Sequence, residues 1–353
     1  MSYKILNQED DKKTFSKYWN SYINENISST KYTENCISYY LEYGNLLNES
    51  FIVIKENKPV GIAFVPIEKK NQTNSISIND EFVIAPLSND KKGEELMFNH
   101  INKIAKRNCV SKIKFEIDPL VSSYAYDYNY LTDYQYLNTN GTSYLIDLRI
   151  SNEKFLSNLN QSLRHNIKKF IENNEYKISF HYGPQTKREI FDNYQNLHFK
   201  SAGRMTRSQI TFDIQYKMII ENEAILACIT LKDKELGYLF TSVFQSTACL
   251  FSIANDPEYE NDYPIYKVMM FEIFKFLKKQ RYQFALFGRP SSKNSVQGFL
   301  DYANDKELRI SKYKRSYRPY IIENFRGVKY LELDSMIKDV DIFKEKIQKS
   351  ILK

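Results

Sequence analysis

Two carboxylates, Asp256 and Glu258, stand two residues apart in SIANDPEYENDYP, where an apolar strand pattern gives way to a polar loop and then a helix. At the mouth of a cleft such a carboxylate accepts the proton of an attacking amine; as a helix cap or an exposed charge it does no chemistry, and the sequence leaves both roles open. Tyr238 follows Gly237 at the start of another apolar strand, where its hydroxyl can donate to a carbonyl oxygen or its ring can simply pack. Arg289 follows the strand-ending Gly288, and strand carboxyl ends are where α/β sheets receive ligands. Arg164 and Lys168 are four apart on a helical pattern, so they share a face that suits either a phosphate clamp or solvent. Arg204 and Arg207 share with His198 the segment YQNLHFKSAGRMTRSQ, read as a mobile loop over an anionic acceptor or as an ordinary exposed loop. Lys314 and Arg315 lie in KELRISKYKRSYRPYIIENFRGVK. There they serve to hold a donor phosphate or the charge building on a carbonyl oxygen, or else line a solvated strand pair.

Other chemistries find less support. The four cysteines, Cys36, Cys109, Cys228 and Cys249, form no CxxC pair, and the four histidines form no HExxH, so neither structural zinc nor a disulfide framework is expected, and no metal is assigned. No G-x-S-x-G elbow is present, which fits direct transfer without a covalent enzyme intermediate. Lysine and arginine number 50 against 43 acidic residues, a net charge of +7, and 42% of the chain is hydrophobic, a globular composition. Residues 1–150 carry 17 basic and 19 acidic residues, so the excess positive charge lies in the remainder and points to an anionic partner. No apolar run is long enough to span a bilayer and the first residues carry no signal-peptide core, so a cytoplasmic protein without a transmembrane segment is expected.

The elements that position these residues occur twice. FIVIKENKPVGIAFVPIE (51–68) and ILACITLKDKELGYLFTSVFQ (225–245) each read as strand, polar turn, strand. Each is followed by a further strand, a helix near 93–107 or 264–280 with apolar residues every three or four positions, and a short strand at 111–117 or 282–288. A helix joining neighbouring parallel strands implies a right-handed crossover. The fold class is therefore α/β, with two tandem lobes, each a mixed sheet flanked by helices. The boundary is placed near residue 150: 1–150 forms the first, degenerate lobe, and 151–353 the second lobe with a polar linker helix over 151–175, capped by Ser151, and a basic C-terminal segment. Residues 333–353 read as a charged amphipathic helix packed on a lobe.

SLRHNIKKFIENNEYKISF resembles the segment of FemAB-like acyltransferases in which an Arg-rich helix leads into a strand. SIANDPEYENDYPIYKVMMFEIFKFLKKQRYQFALFGRP is similar to their next element, and LRISKYKRSYRPY to the stretch where the family carries a Lys and an aromatic before its last strands. The resemblance covers residues 151–320 and, as a degenerate first copy, 50–120. It implies two lobes of the GNAT N-acyltransferase fold and transfer of an acyl or aminoacyl group to an amino group. The acceptor would be a nucleotide-linked or lipid-linked amino sugar or peptide precursor of the cell envelope or a surface polysaccharide. The implied co-substrate is an acyl-CoA or an aminoacyl-tRNA, the latter making the protein an aminoacyl-tRNA-dependent peptidyltransferase of peptidoglycan precursors. The Gly-rich loop that grips the coenzyme A pyrophosphate in GNAT enzymes is missing: the corresponding loops are APLSNDKKG and NDPEYENDYP. A non-catalytic module binding RNA or another anionic ligand remains the competing class.

Overall fold

The computed structural model describes residues 2–26, 29–70, 73–121, 128–172, 176–259, 264–291 and 305–351. Along the first unit run β1 (Tyr3–Asn7), α1 (Lys12–Asn26), α2 (Glu34–Gly44), β2 (Leu47–Asn48), β3 (Phe51–Lys55), β4 (Lys58–Ala63), β5 (Pro66–Lys70), β6 (Thr73–Ile76), β7 (Val83–Ile84), β8 (Leu87–Ser88), α3 (Lys91–Arg107), β9 (Val110–Glu116) and β10 (Leu137–Asn138). The second unit follows with β11 (Gly141–Asp147), α4 (Asn152–Asn158), α5 (Gln161–Ile171), β12 (Tyr176–His181), α6 (Arg188–Ala202), α7 (Gln209–Ile220), β13 (Ala224–Leu231), β14 (Lys234–Phe244), β15 (Thr247–Asn255), α8 (Ile265–Lys279), β16 (Phe284–Leu286), α9 (Asp305–Arg315) and β17 (Tyr320–Asn324). The chain closes with β18 (Arg326–Tyr330) and α10 (Leu333–Ile351).

Two hydrophobic clusters form two compact units, each with mixed sheet and flanking helices. A single boundary at residue 150 does not describe them. The first unit comprises residues 1–142, 291–308 and 323–353, and the second 143–290 and 309–322. The reason is visible in the strand orders. In the first unit β18 lies between β10 and β9, and in the second β11 lies between β16 and β17. The strand after β10 thus joins the second sheet, and the strand after β17 joins the first.

The second unit's sheet runs β12-β13-β14-β15-β16-β11-β17. Side chains alternate across β13 and β14: Ile225, Ala227, Ile229 and Leu239 enter the cluster with Met269 and Phe274 of α8, while Tyr238 and Phe240 face Tyr194 of α6. Helix α8 therefore covers one face and α6 the other. Gly237 permits the close approach of α8, because a Cβ there would lie 2.9 Å from Ile265 Cγ2.

Local sequence explains two departures from expectation. The linker over 151–175 is two helices, because Leu159, extended at ψ 148°, ends the first and Asn160 caps the second by accepting from Ser162 N at 2.9 Å; Ser151 caps α4 by accepting from Lys154 N at 3.1 Å. Residues 173–175 lie outside the described residues. The basic stretch does not form the expected strand pair: it is extended only over β17 and β18, and these join different sheets. Its first part, DKELRISKYKR, is rich in Lys, Arg, Glu and Leu and folds as helix α9.

Candidate active site

The second unit's sheet splits between β15 and β16. These strands pair in parallel only at Thr247↔Phe284, Ala248↔Ala285 and Cys249↔Leu286, whereas β15 keeps its partner β14 as far as Asn255. Beyond Cys249 the two strands no longer pair, which leaves a wedge at their carboxyl ends, the position where α/β sheets receive ligands.

Lys314 reaches the edge of this wedge from α9. Tyr313 and Tyr317, one helical turn apart, anchor α9 on the α8 face: the Tyr313 ring lies 4.5 Å from that of Tyr266, and Tyr317 Oη donates to Lys267 O at 2.7 Å. Lys314 Nζ is then 5.4 Å from the centre of the Phe287 ring and packs against Gly288, where a Cβ would overlap the ammonium. Gly288 also holds φ +82°, a left-handed conformation that favours glycine. Burial pulls the Lys314 pKa below the usual lysine range. Lys314 is half-buried and, among the described residues, has no ion-pair partner. Arg315, the next residue, is exposed, and Arg289 is half-buried beside Gly288.

Arg207 approaches β15 from the other face, in the loop between α6 and α7. Its Nη2 donates to His198 Nε2 (2.6 Å) and to Ser252 Oγ (3.0 Å), Nη1 donates to Gln215 Oε1 (3.3 Å), and the guanidinium lies 4.7 Å from the Phe212 ring centre. Tyr194 Oη donates to the same Ser252 Oγ at 3.0 Å. A guanidinium can only donate, so the His198 ring is neutral at Nε2; burial, then the Arg207 charge, pull its pKa down to about 4. His198 sits inside α6 and not in a loop, because YQNLHFKSA continues the helix until Gly203, at φ +67°, ends it. Arg204, just beyond, is exposed. On the same sheet face, the buried Tyr238 hydroxyl and Gln215 Nε2 have no hydrogen-bond partner among the described residues.

Asp256 and Glu258 are brought together, both paired with the ammonium groups of Lys200 and Lys234. Asp256 is buried, with Lys200 at 2.9 Å and Lys234 at 3.9 Å, and its Oδ1 accepts from Glu258 N at 3.1 Å. Burial pushes its pKa up, yet Lys200, the Glu258 amide and Lys234 outweigh that and hold it below the usual range. Glu258 is exposed and meets Lys200 at 2.8 Å. Residues 260–263 of this loop lie outside the described residues. On α5, whose Leu163, Ile167 and Phe170 are buried, Arg164 is half-buried on the flank and Lys168 is exposed, and Arg164 donates to Ser157 O at 3.1 Å. Among the described residues no group of three or more His, Cys, Asp or Glu is arranged to hold a metal.

Sequence reading missed Tyr194, Gln215 and Ser252. Two signals were available: Tyr194 is four residues before His198 on one helix, and Ser252 interrupts an apolar strand. It also missed a buried trio in the first unit. Lys31 Nζ lies 2.6 Å from Glu116 Oε1 and 3.3 Å from Asp118 Oδ2, and Ser29 Oγ donates to Asp118 at 2.9 Å.

No protein-family model matches the chain, and no curated protein matches it in sequence. Solved structures do. FemX superposes with a TM-score of 0.64 at 12% identity over 92% of this chain and 97% of that one. L-PGS from Bacillus licheniformis gives 0.60 at 13% over 92% and 95%, and a tandem GNAT protein from the clavulanic acid biosynthesis pathway gives 0.51 at 7% over 93% and 98%. The chain has the FemAB-like double-GNAT fold. In this fold each unit is one GNAT-like lobe, and the wedge between β15 and β16 belongs to the second. No helix among the described residues is long and apolar enough to cross a membrane.

Proposed function

We propose that the protein is an N-acyltransferase that joins an activated acyl or aminoacyl group to the amine of an amino sugar or peptide, carried on a nucleotide or lipid phosphate and destined for the cell envelope. The observation that carries this reading is Lys314: a desolvated ammonium, without an ion-pair partner among the described residues, at the open end of a split GNAT-like sheet. In amide formation the amine attacks the donor carbonyl, the C–O or C–S bond to the leaving group breaks, and negative charge builds on the carbonyl oxygen. A fixed cation in a dry site stabilises that charge with little reorganisation. Arg207, steadied by His198, Gln215 and Ser252, is the contact for the acceptor's anionic group, with Arg204 and Arg289 as outer contacts. Asp256 and Glu258 shape the loop through Lys200 and Lys234, and the leaving oxygen or sulfur takes up the proton that the amine loses.

Carboxylates in the loop between β15 and α8 repel a pyrophosphate, which favours an aminoacyl-tRNA over an acyl-CoA as donor. The resemblance of residues 151–320 to FemAB-like acyltransferases supports the envelope assignment. The test is transfer from radiolabelled aminoacyl-tRNA, and in parallel from acetyl-CoA, to nucleotide-linked muropeptide and amino-sugar acceptors. Transfer from either donor that is lost in Lys314→Met supports the reading. No transfer from either, together with RNA binding that weakens steeply with salt, places the protein among RNA-binding modules.

A further inference from the structure

The second unit carries a surface of one charge sign that the wedge does not use. Residues 309–322, on α9 and β17, include Arg309, Lys312, Lys314, Arg315 and Arg318 and no acid, and residues 160–172, on α5, include Arg164, Lys168 and Lys169 against Glu172 alone. The two segments meet, because Asn160 N at the start of α5 donates to Ser316 O, just past the end of α9, at 2.9 Å. Lys314 is half-buried against Gly288, but Arg309, Lys312, Arg315, Arg318, Lys168 and Lys169 are exposed. Among the described residues none of these six has an ion-pair partner. Such a concentration of unpaired positive charge attracts an anionic partner of matching extent.

Two features decide between a nucleic acid and a lipid surface. The tyrosines interleaved with the bases of α9 are not free to stack on nucleobases: Tyr313 Oη lies 2.7 Å from Tyr317 Oη, which in turn donates to Lys267 O at 2.7 Å, so both are turned inward onto α8. The side chains exposed in their place are Tyr320 (59%) and Ile321 (65%), two and three residues beyond Arg318, where β17 ends the second sheet. A phosphate backbone gives an isoleucine nothing to pack on. The interface of a bilayer takes tyrosine and isoleucine among its headgroups while its anionic lipids meet the surrounding cations. We propose that this face docks on an anionic membrane surface, with Tyr320 and Ile321 entering the headgroup layer and Arg309, Lys312, Arg315 and Arg318 meeting lipid phosphates. That the acceptor is then the lipid-linked form rests on the proposed function; the docking itself does not.

The test is flotation of the full chain with phosphatidylcholine vesicles, with and without about one-third phosphatidylglycerol, beside binding of a poly(A)·poly(U) duplex. Expected is flotation with the anionic vesicles only, weakening as salt screens the exposed cations. Arg309→Gln and Lys312→Gln each weaken it about fivefold, and Arg309→Glu combined with Lys312→Glu abolishes it, with the thermal midpoint unchanged. Tyr320→Ser combined with Ile321→Ser weakens it about tenfold. No flotation with anionic vesicles at low salt, equal flotation with phosphatidylcholine alone, or flotation indifferent to the charge reversal overturns the proposal. So does duplex binding that the charge reversal abolishes while the vesicles go unbound, since the face would then serve RNA. Flotation without acyl transfer leaves the docking standing and removes the proposed function, and transfer without flotation does the opposite.

Discussion

Where the crossover helix joins two parallel strands, the two units make opposite choices at the strands' carboxyl ends. In the first unit β6 pairs with β9 and, after a turn, β7 takes over at Val83↔Phe115 and Ile84↔Glu116, so β9 keeps a parallel partner to its end. Its charges there are settled, Lys31 against Glu116 and Asp118. In the second unit the parallel pairing of β15 stops at Cys249 although the strand runs on to Asn255, and the nearby cation Lys314 has no ion-pair partner among the described residues. One unit pairs the strand and matches its charges to the end, and the other leaves that end of β15 without a parallel partner, where the proposed function places the ligand.

Exchanging the fates of the two lysines is the sharpest way to break this comparison. Lys314→Met is expected to slow transfer about 100- to 1,000-fold, the usual effect of losing one oxyanion-stabilising group, in a single-turnover assay. Thermal unfolding of the same variant should stay level or rise, since a desolvated charge without a counter-ion is removed. Lys31→Met should do the reverse. Leaving Glu116 and Asp118 without their cation costs about 3 kcal/mol in urea unfolding, while the rate per folded molecule stays near wild type. If Lys31→Met stops transfer with the fold intact, the first unit also holds a working site.

Arg207→Met comes next, raising KM for the anionic acceptor about tenfold, which is about 1.4 kcal/mol, with a smaller change in kcat. Acidification probes the same cluster. The His198 pKa is about 4 in the folded protein, below the ordinary histidine value, so the unfolded chain binds the extra proton first. Stability should therefore fall as pH drops from about 6.5 towards 4, and His198→Gln should flatten that slope in pH-dependent melts. Asp256→Asn is expected to have the smallest effect, less than about tenfold in rate, because the carboxylate serves the loop through Lys200 and Lys234. Complete loss of turnover with an intact fold would restore it as the proton acceptor.

Periodicity made the repeated order of hairpin, strand, helix and strand legible, since each element buries one apolar face at its own spacing: Met97, Ile101 and Ile104 on α3 and Met269, Ile273 and Leu277 on α8 are examples. Lys314 and Arg207 were legible as cations, but not as the two on which the proposed function rests. What distinguishes them is the company they keep across the sheet: Gly288 and Phe287 for one, Ser252 and His198 for the other. Such long-range contacts leave no trace in local spacing. The helical state of 305–315 was hidden for a different reason, because alternating bases and tyrosines satisfy a strand pattern as readily as a helix with Tyr313 and Tyr317 a turn apart. The destination of β18 was hidden because nothing in RGVKY says which sheet it joins.

That destination matters to the ribosome. The slot between β9 and β10 stays vacant until residue 330 has been made, long after the rest of the first unit's sheet has emerged. Until then the nascent chain holds open strand edges that invite pairing with the wrong neighbour. The sheet closes only on a contact of very large sequence separation, so folding should be slow and end late. A break in the chain before β18 would cost the first unit a central strand, although that break lies far along the sequence from the rest of the unit.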